Sequence, residues 1–164
     1  MVRNDVLVDL KSLIEFASLN AEKIFKRTGA LYPMYHAIDG RGEHKILTPQ
    51  MDDKDISVAM VKAWFALEGI DRYVFIDEAW VVDSTKSGVE LDIEKARREG
   101  VRNHPDRREI VMFSAENRKG EMQTAKRFIL RPEVGKPTLS PLTFDEFDSS
   151  EGRMVGLLNV EKRR

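Results

Sequence analysis

Tyr73-Val74-Phe75-Ile76-Asp77-Glu78-Ala79-Trp80-Val81-Val82 is a β-branched and aromatic run with two adjacent carboxylates at its centre. Such a run reads as a strand in the heart of a sheet. Successive side chains of a strand alternate between its faces. Glu78 therefore shares a face with Val74, Ile76, Trp80 and Val82, and Asp77 shares one with Tyr73, Phe75, Ala79 and Val81. The two carboxylates cannot act side by side from this strand. Each lies on an apolar face and needs a partner or water, because an unpaired buried charge raises its own pKa or weakens the fold.

Working outward, residues 5–26 place Val6, Leu7, Leu10, Leu13, Ile14, Ala17, Ala21, Ile24 and Phe25 at three- and four-residue steps, the stripe of an amphipathic helix. Asn4 or Asp5 is its expected N-cap and Gly29 its stop. Asp39-Gly40-Arg41-Gly42 is a turn signal between two extended segments, the first holding Pro33. A second helix follows over residues 55–68, with Ile56, Ala59, Met60, Ala63, Trp64 and Leu67 as the expected buried stripe. Beyond the central strand come a polar loop and a short charged helix over 91–98. A hairpin turns at Asn117-Arg118-Lys119-Gly120, and a last strand is expected over 152–158. The expected architecture is one α+β domain over residues 1–164 with a frayed tail from 158. An antiparallel sheet of about five strands carries two main helices packed on one face.

The chain has 164 residues, 27 of them Lys or Arg and 28 Asp or Glu, for a net charge of -1. That balance does not favour wholesale binding to nucleic acid, which needs a basic excess. There is no cysteine, which excludes disulfides and thiolate chemistry. No signal-like apolar segment opens the chain and no run is long enough to span a bilayer, so a bacterial, cytoplasmic setting without a membrane is expected.

For chemistry, the strand points first to Glu78 with Trp80 on its face. The segment Asn103-His104-Pro105-Asp106-Arg107-Arg108 leads into the next strand and adds a histidine able to titrate near neutral pH. Glu78, His104 and Arg107 are the candidate catalytic set, and Trp80, Asp77 and Arg108 the candidate binding residues. In the competing account the carboxylates are structural, paired with Arg72, Arg107, Arg108 or Arg127, and Asp77 is read as half of an ion pair. His36 and His44 flank the turn at Asp39 and would approach across a hairpin, but the spacing matches no metal motif, so neither metal nor cofactor is expected. Glu94-Lys95 lies in a helical pattern, unlike the strand-borne Glu-x-Lys of a metal-dependent nuclease. There is no phosphate loop, dinucleotide fingerprint, nucleophile elbow or His-Glu-x-x-His.

Three blocks, Arg72 to Trp80, His104 to Met112 and Glu151 to Leu158, resemble those of a group of small bacterial proteins of uncharacterised function. The resemblance runs from about residue 30 to 158 and implies one shared fold; it assigns no residue a role. The expectation is a non-enzymatic binding or protein-interaction protein that self-associates or serves as an adaptor. The alternative is a small hydrolase or nuclease using Glu78 or Asp77 with His104, with or without a metal.

Overall fold

From Tyr73 to Ile76 the central strand is hydrogen-bonded on both edges and buried on both faces. In the computed structural model, which describes residues 9–50, 52–82, 107–145 and 156–158, the elements run α1 (Leu10–Thr28), β1 (Met34–Asp39), β2 (His44–Leu47), α2 (Lys54–Glu68), β3 (Ile70–Val82), β4 (Arg107–Asn117), β5 (Met122–Leu130), β6 (Thr138–Leu139) and β7 (Thr143–Phe144). The sheet order is β2-β1-β3-β4-β5-β6, with β7 also on β5, and all pairings are antiparallel. β3 meets β1 from Met34↔Ile76 to Asp39↔Ile70. It meets β4 over its whole outer length, from Arg72↔Asn117 to Val82↔Arg107.

The hairpins close on side-chain caps. Asp39 accepts backbone N–H bonds from Arg41 and Glu43, each 2.9 Å, and Gly42 takes φ 83°. Asn117 does the same for Lys119 and Glu121 at 3.0 and 3.1 Å, with Gly120 at φ 79°. Both are Asx-type turns.

Strand alternation divides the core in two. Val74, Ile76, Val111, Phe113, Ala125 and Ile129 pack with Leu10, Leu13, Ile14, Ala17, Ala21 and Phe25 of α1. Tyr73, Phe75, Tyr35 and Ala37 point the other way and pack with Val61 and Phe65 of α2, joined by Leu157 and Leu158. The α+β class and the antiparallel sheet are as expected, but the sheet has seven strands, two of them only two residues long. The helices do not share a face. Because β3 is apolar on both sides, each side needs its own cover, and α1 and α2 supply one each.

Both helices also differ from their expected limits or facing. α1 begins at Asp9, whose carboxylate accepts the Lys11 N–H at 2.9 Å, and not at a cap on Asn4 or Asp5. Its buried stripe is the expected one. α2 is capped by Asp53 and stopped by Gly69 at φ 63°, yet it is turned by about a third of a revolution from the expected facing, with Trp64 half-buried between the two. Ser57, Val61 and Phe65 are buried, while Ile56, Met60 and Leu67 are exposed. The inner positions bring Phe65 against the rings of Tyr35 and Tyr73 at 5.5 and 4.8 Å. The expected short helix over 91–98 lies outside the described residues. Of the expected last strand only 156–158 are described, and they form no ladder.

α1 is also held by a buried cation. Arg127 of β5 donates to Ser18 Oγ (3.2 Å), Glu22 Oε2 (3.1 Å) and the Ser140 carbonyl (2.7 Å). The guanidinium holds the Glu22 carboxyl below its ordinary pKa. Removing it leaves three acceptors without their donor. Arg127→Ala should therefore lower stability by roughly 3 kcal/mol in urea unfolding at neutral pH; a loss below roughly 1 kcal/mol would show that water replaces the guanidinium.

Candidate functional site

The far half of β3 is where the candidate residues gather. β1 starts at Met34, opposite Ile76, so Asp77 to Val82 have no ladder partner on that edge from β1. Pro33 offers no N–H, and the chain diverges there. The Glu78 carboxylate takes over, accepting the Leu31 N–H at 3.0 Å. On the same face Trp80 lies opposite Glu109 in the register, and the Arg107 guanidinium sits 5.0 Å from its ring centre. Arg131 from β5 makes a forked ion pair with Glu109, at 2.5 and 3.1 Å. Val82, which pairs with Arg107, is four residues along from Glu78. That is about 13 Å of strand, with Trp80 between them. His104 lies outside the described residues.

The other face carries Asp77 and Arg108. Asp77 Oδ1 accepts the Glu78 N–H at 2.8 Å. Burial pushes its pKa up to about 6, opposed by that hydrogen bond and by the charge of Lys54. No ion pair reaches Asp77 among the described residues, so the expected pairing with an arginine is replaced by a backbone contact and partial burial. Arg108 pairs with Val81 in the register, about 13 Å along the strand from Asp77. Its guanidinium stacks at 3.8 Å on the Phe128 ring. Arg72 is bound to Asp71 and Arg127 to Glu22.

The hairpin histidines do meet. His36 Nε2 and His44 Nδ1 are 2.8 Å apart, with Phe16 of α1 packed against both rings. Burial, with the neighbouring His44, takes His36 down to about 4. Asp39 is turned away into the hairpin turn. Among the described residues no group of three or more metal-binding side chains converges.

A contact unforeseen from the sequence is the best-organised polar cluster on the α2 side. Glu116 is buried and its Oε2 accepts the Tyr73 hydroxyl at 2.7 Å, the two residues lying opposite one another on β4 and β3. It also accepts backbone N–H groups of Gly156, Leu158 and Leu157, while burial keeps its pKa raised. Gly156 has φ 70°, which lets consecutive amides converge on one anion. Leu157 and Leu158 thereby complete the apolar cluster under α2. The one signal in the sequence was a lone carboxylate after Phe113-Ser114-Ala115 in a strand.

Two outcomes test these assignments. The Asp77 pKa is raised in the folded state, so the penalty is absent below about pH 4, grows between pH 4 and 6, and is full above. Asp77→Asn should thus gain roughly 1–2 kcal/mol over the parent at pH 7.5 and nothing at pH 4. Urea titrations at both pH values measure this; an equal change at both would remove the burial account. Glu116→Ala should abolish hydrogen-exchange protection at Leu157 and Leu158, whereas Tyr73→Phe, which removes one bond, should lower it by about tenfold.

No family model, curated protein or solved structure matches this chain, which leaves the chemistry of its own surface as the guide to what it does.

Proposed function

We propose that this is a non-enzymatic protein-interaction protein, cytoplasmic in setting, whose contact surface is the outer face of α2. The observation that carries the reading is the exposure of that face: Ile56 is 59%, Met60 65% and Leu67 86% exposed. Ala59, Ala63 and Ala66 fill the positions between them and are exposed as well. Together these six make an uninterrupted apolar stripe on a helix whose opposite side is already buried. An apolar stripe of this size left facing water marks a contact surface. Burying each of the three large side chains would contribute roughly 1.5–3 kcal/mol.

The candidate chemical groups support the same reading. Glu78, Glu109 and Glu116 are all engaged by other parts of the chain. Asp77 alone favours the rival hydrolase reading, since a carboxyl with a pKa of about 6 suits a general base. Described residues of the chain include no helix long and apolar enough to cross a membrane.

The test is a paired comparison of the parent with Met60→Glu/Leu67→Glu. Both positions are exposed, so the melting temperature should shift by less than about 2 °C. The expected result is an association, with itself or with another protein, that the parent shows and the variant lacks. A parent that binds nothing in a Met60-dependent way, in purified form or in extracts, would refute the reading.

A further inference from the structure

The two histidines of the β1–β2 hairpin belong neither to the carboxylate-bearing end of β3 nor to the outer face of α2. From their geometry we propose that they form an acid-sensitive latch: β2 is fastened while the two rings share one hydrogen, and it is released from β1 when both rings are protonated.

His36 stands opposite Ile46 in the register and His44 opposite Ile38, so the two are diagonal neighbours across the hairpin. His36 Nε2 and His44 Nδ1 are 2.8 Å apart. At that separation one nitrogen donates its N–H and the other offers a lone pair. A first added proton sits on an outer nitrogen, and the bond survives. A second puts an N–H on both facing nitrogens and brings two cations into contact. The fastened pair thus admits one added proton, whereas two parted histidines admit two. Acid favours the parted state.

Nothing around the pair offsets a double charge. From α1 the contact is Phe16, whose uncharged ring lies 5.2 Å from His36 and 5.0 Å from His44 between centres. The charged residues on that flank of α1 are Asp9, Lys23 and Arg27, all two turns or more from Phe16, and Asp9 is engaged as the helix cap. Glu15 and Glu22 lie on the other flank, where Glu22 meets Arg127. From β3 the facing charge is Arg72, a cation held by Asp71, and it opposes protonation of His44. Within the hairpin Asp39 is turned into the loop, and Glu43 and Lys45 lie to the opposite side, where Lys45 is bound to Glu68.

Burial takes both imidazoles below their ordinary range, His36 to about 4. The folded values lie below the unfolded one. The fastening is therefore whole above about pH 6.5 and is lost as the pH falls towards 4.

The edge strand is the part that gives way. His36 is 3% exposed, on a strand paired along both edges. His44 is exposed, on a strand of four residues whose one neighbour is β1. Its release bares the outer edge of β1 from Tyr35 to Ile38 and leaves β1, β3, β4 and β5 paired.

The experiment is native-state amide hydrogen exchange of the full chain at pH 7.5 and pH 5, in a series of low urea concentrations and corrected for intrinsic exchange rates. Release of β2 exposes little surface, so amides of the β1–β2 ladder should exchange through an opening that urea barely changes, while those of the β4–β5 ladder follow global unfolding. The opening constant of β2 should rise by about 20-fold from pH 7.5 to pH 5, the result of one extra proton bound on release. His44→Gln supplies an amide oxygen that accepts from His36 in either protonation state, and its position is exposed, so the core is left intact. It should cut the rise to less than about fivefold, and His36→Gln/His44→Gln should abolish it. Asp77 also titrates in this range, but it is present in every variant and drops out of the comparison.

β1–β2 amides that share the urea dependence of β4–β5 overturn the latch, since β2 then has no release of its own. So does an opening constant that does not change with pH, or one that rises as steeply in His44→Gln as in the parent.

Discussion

Everything in this fold depends on the stretch Tyr73 to Ile76 of β3 being paired on both edges and buried on both faces. Val74 and Ile76 belong to the cluster under α1, and Tyr73 and Phe75 to the cluster under α2. A slip of one residue would exchange the two sets and carry Asp77 into the position of Ile76, at the centre of an apolar cluster. The bulge between Ile38 and Asp39 in the β1 ladder is the single irregularity in that pairing, and it lies at the turn end. Helices, hairpins and the far strands are arranged around a strand that tolerates no other register.

Much of this was legible in the residues. The turn at Asp39-Gly40-Arg41-Gly42, the stripe of α1 and the antiparallel pairing of β4 with β5 follow from local chemistry, and the structure has all three. The facing of α2 was not legible, for a physical reason. Its apolar residues fall on two stripes, Ile56-Met60-Ala63-Leu67 and Val58-Val61-Trp64-Phe65, so periodicity cannot choose between them. The choice is made by aromatic neighbours distant in sequence, chiefly Tyr35 and Tyr73. Periodicity is equally silent on which face of a sheet a helix covers, and a strand apolar on both sides needs two covers.

At the candidate site, alternation correctly separates Asp77 from Glu78, but the partners of each depend on backbone geometry that no residue pattern reports. This sheet keeps its carboxylates by several devices. Glu78 takes the backbone N–H of Leu31, Asp77 takes that of its own neighbour, and Glu116 takes a phenol and a set of backbone amides. Burial leaves Asp77 with a raised pKa, because one amide does not offset it. The arginines expected to neutralise this strand instead stack on Trp80 and Phe128 or bind glutamates elsewhere.

The seating of Leu157 beside Tyr73 has a consequence for the order in which the molecule assembles. The two are 84 residues apart in the chain. The cluster under α1, by contrast, takes nearly all of its members from residues 10–129 and has closed hairpins within it. Leu157 and Leu158 lie beyond all of the buried members of that cluster in the chain and so are made after them. During synthesis the aromatic face of the sheet accordingly waits, roofed by α2 but open at its edge, until the leucines arrive. An interruption of translation before that point would release a molecule with one finished core and one unfinished, exposing Tyr73 and a carboxylate that has lost its amides. The chain thus carries its own completeness check, written into the distance between a glutamate and the residues that cap it.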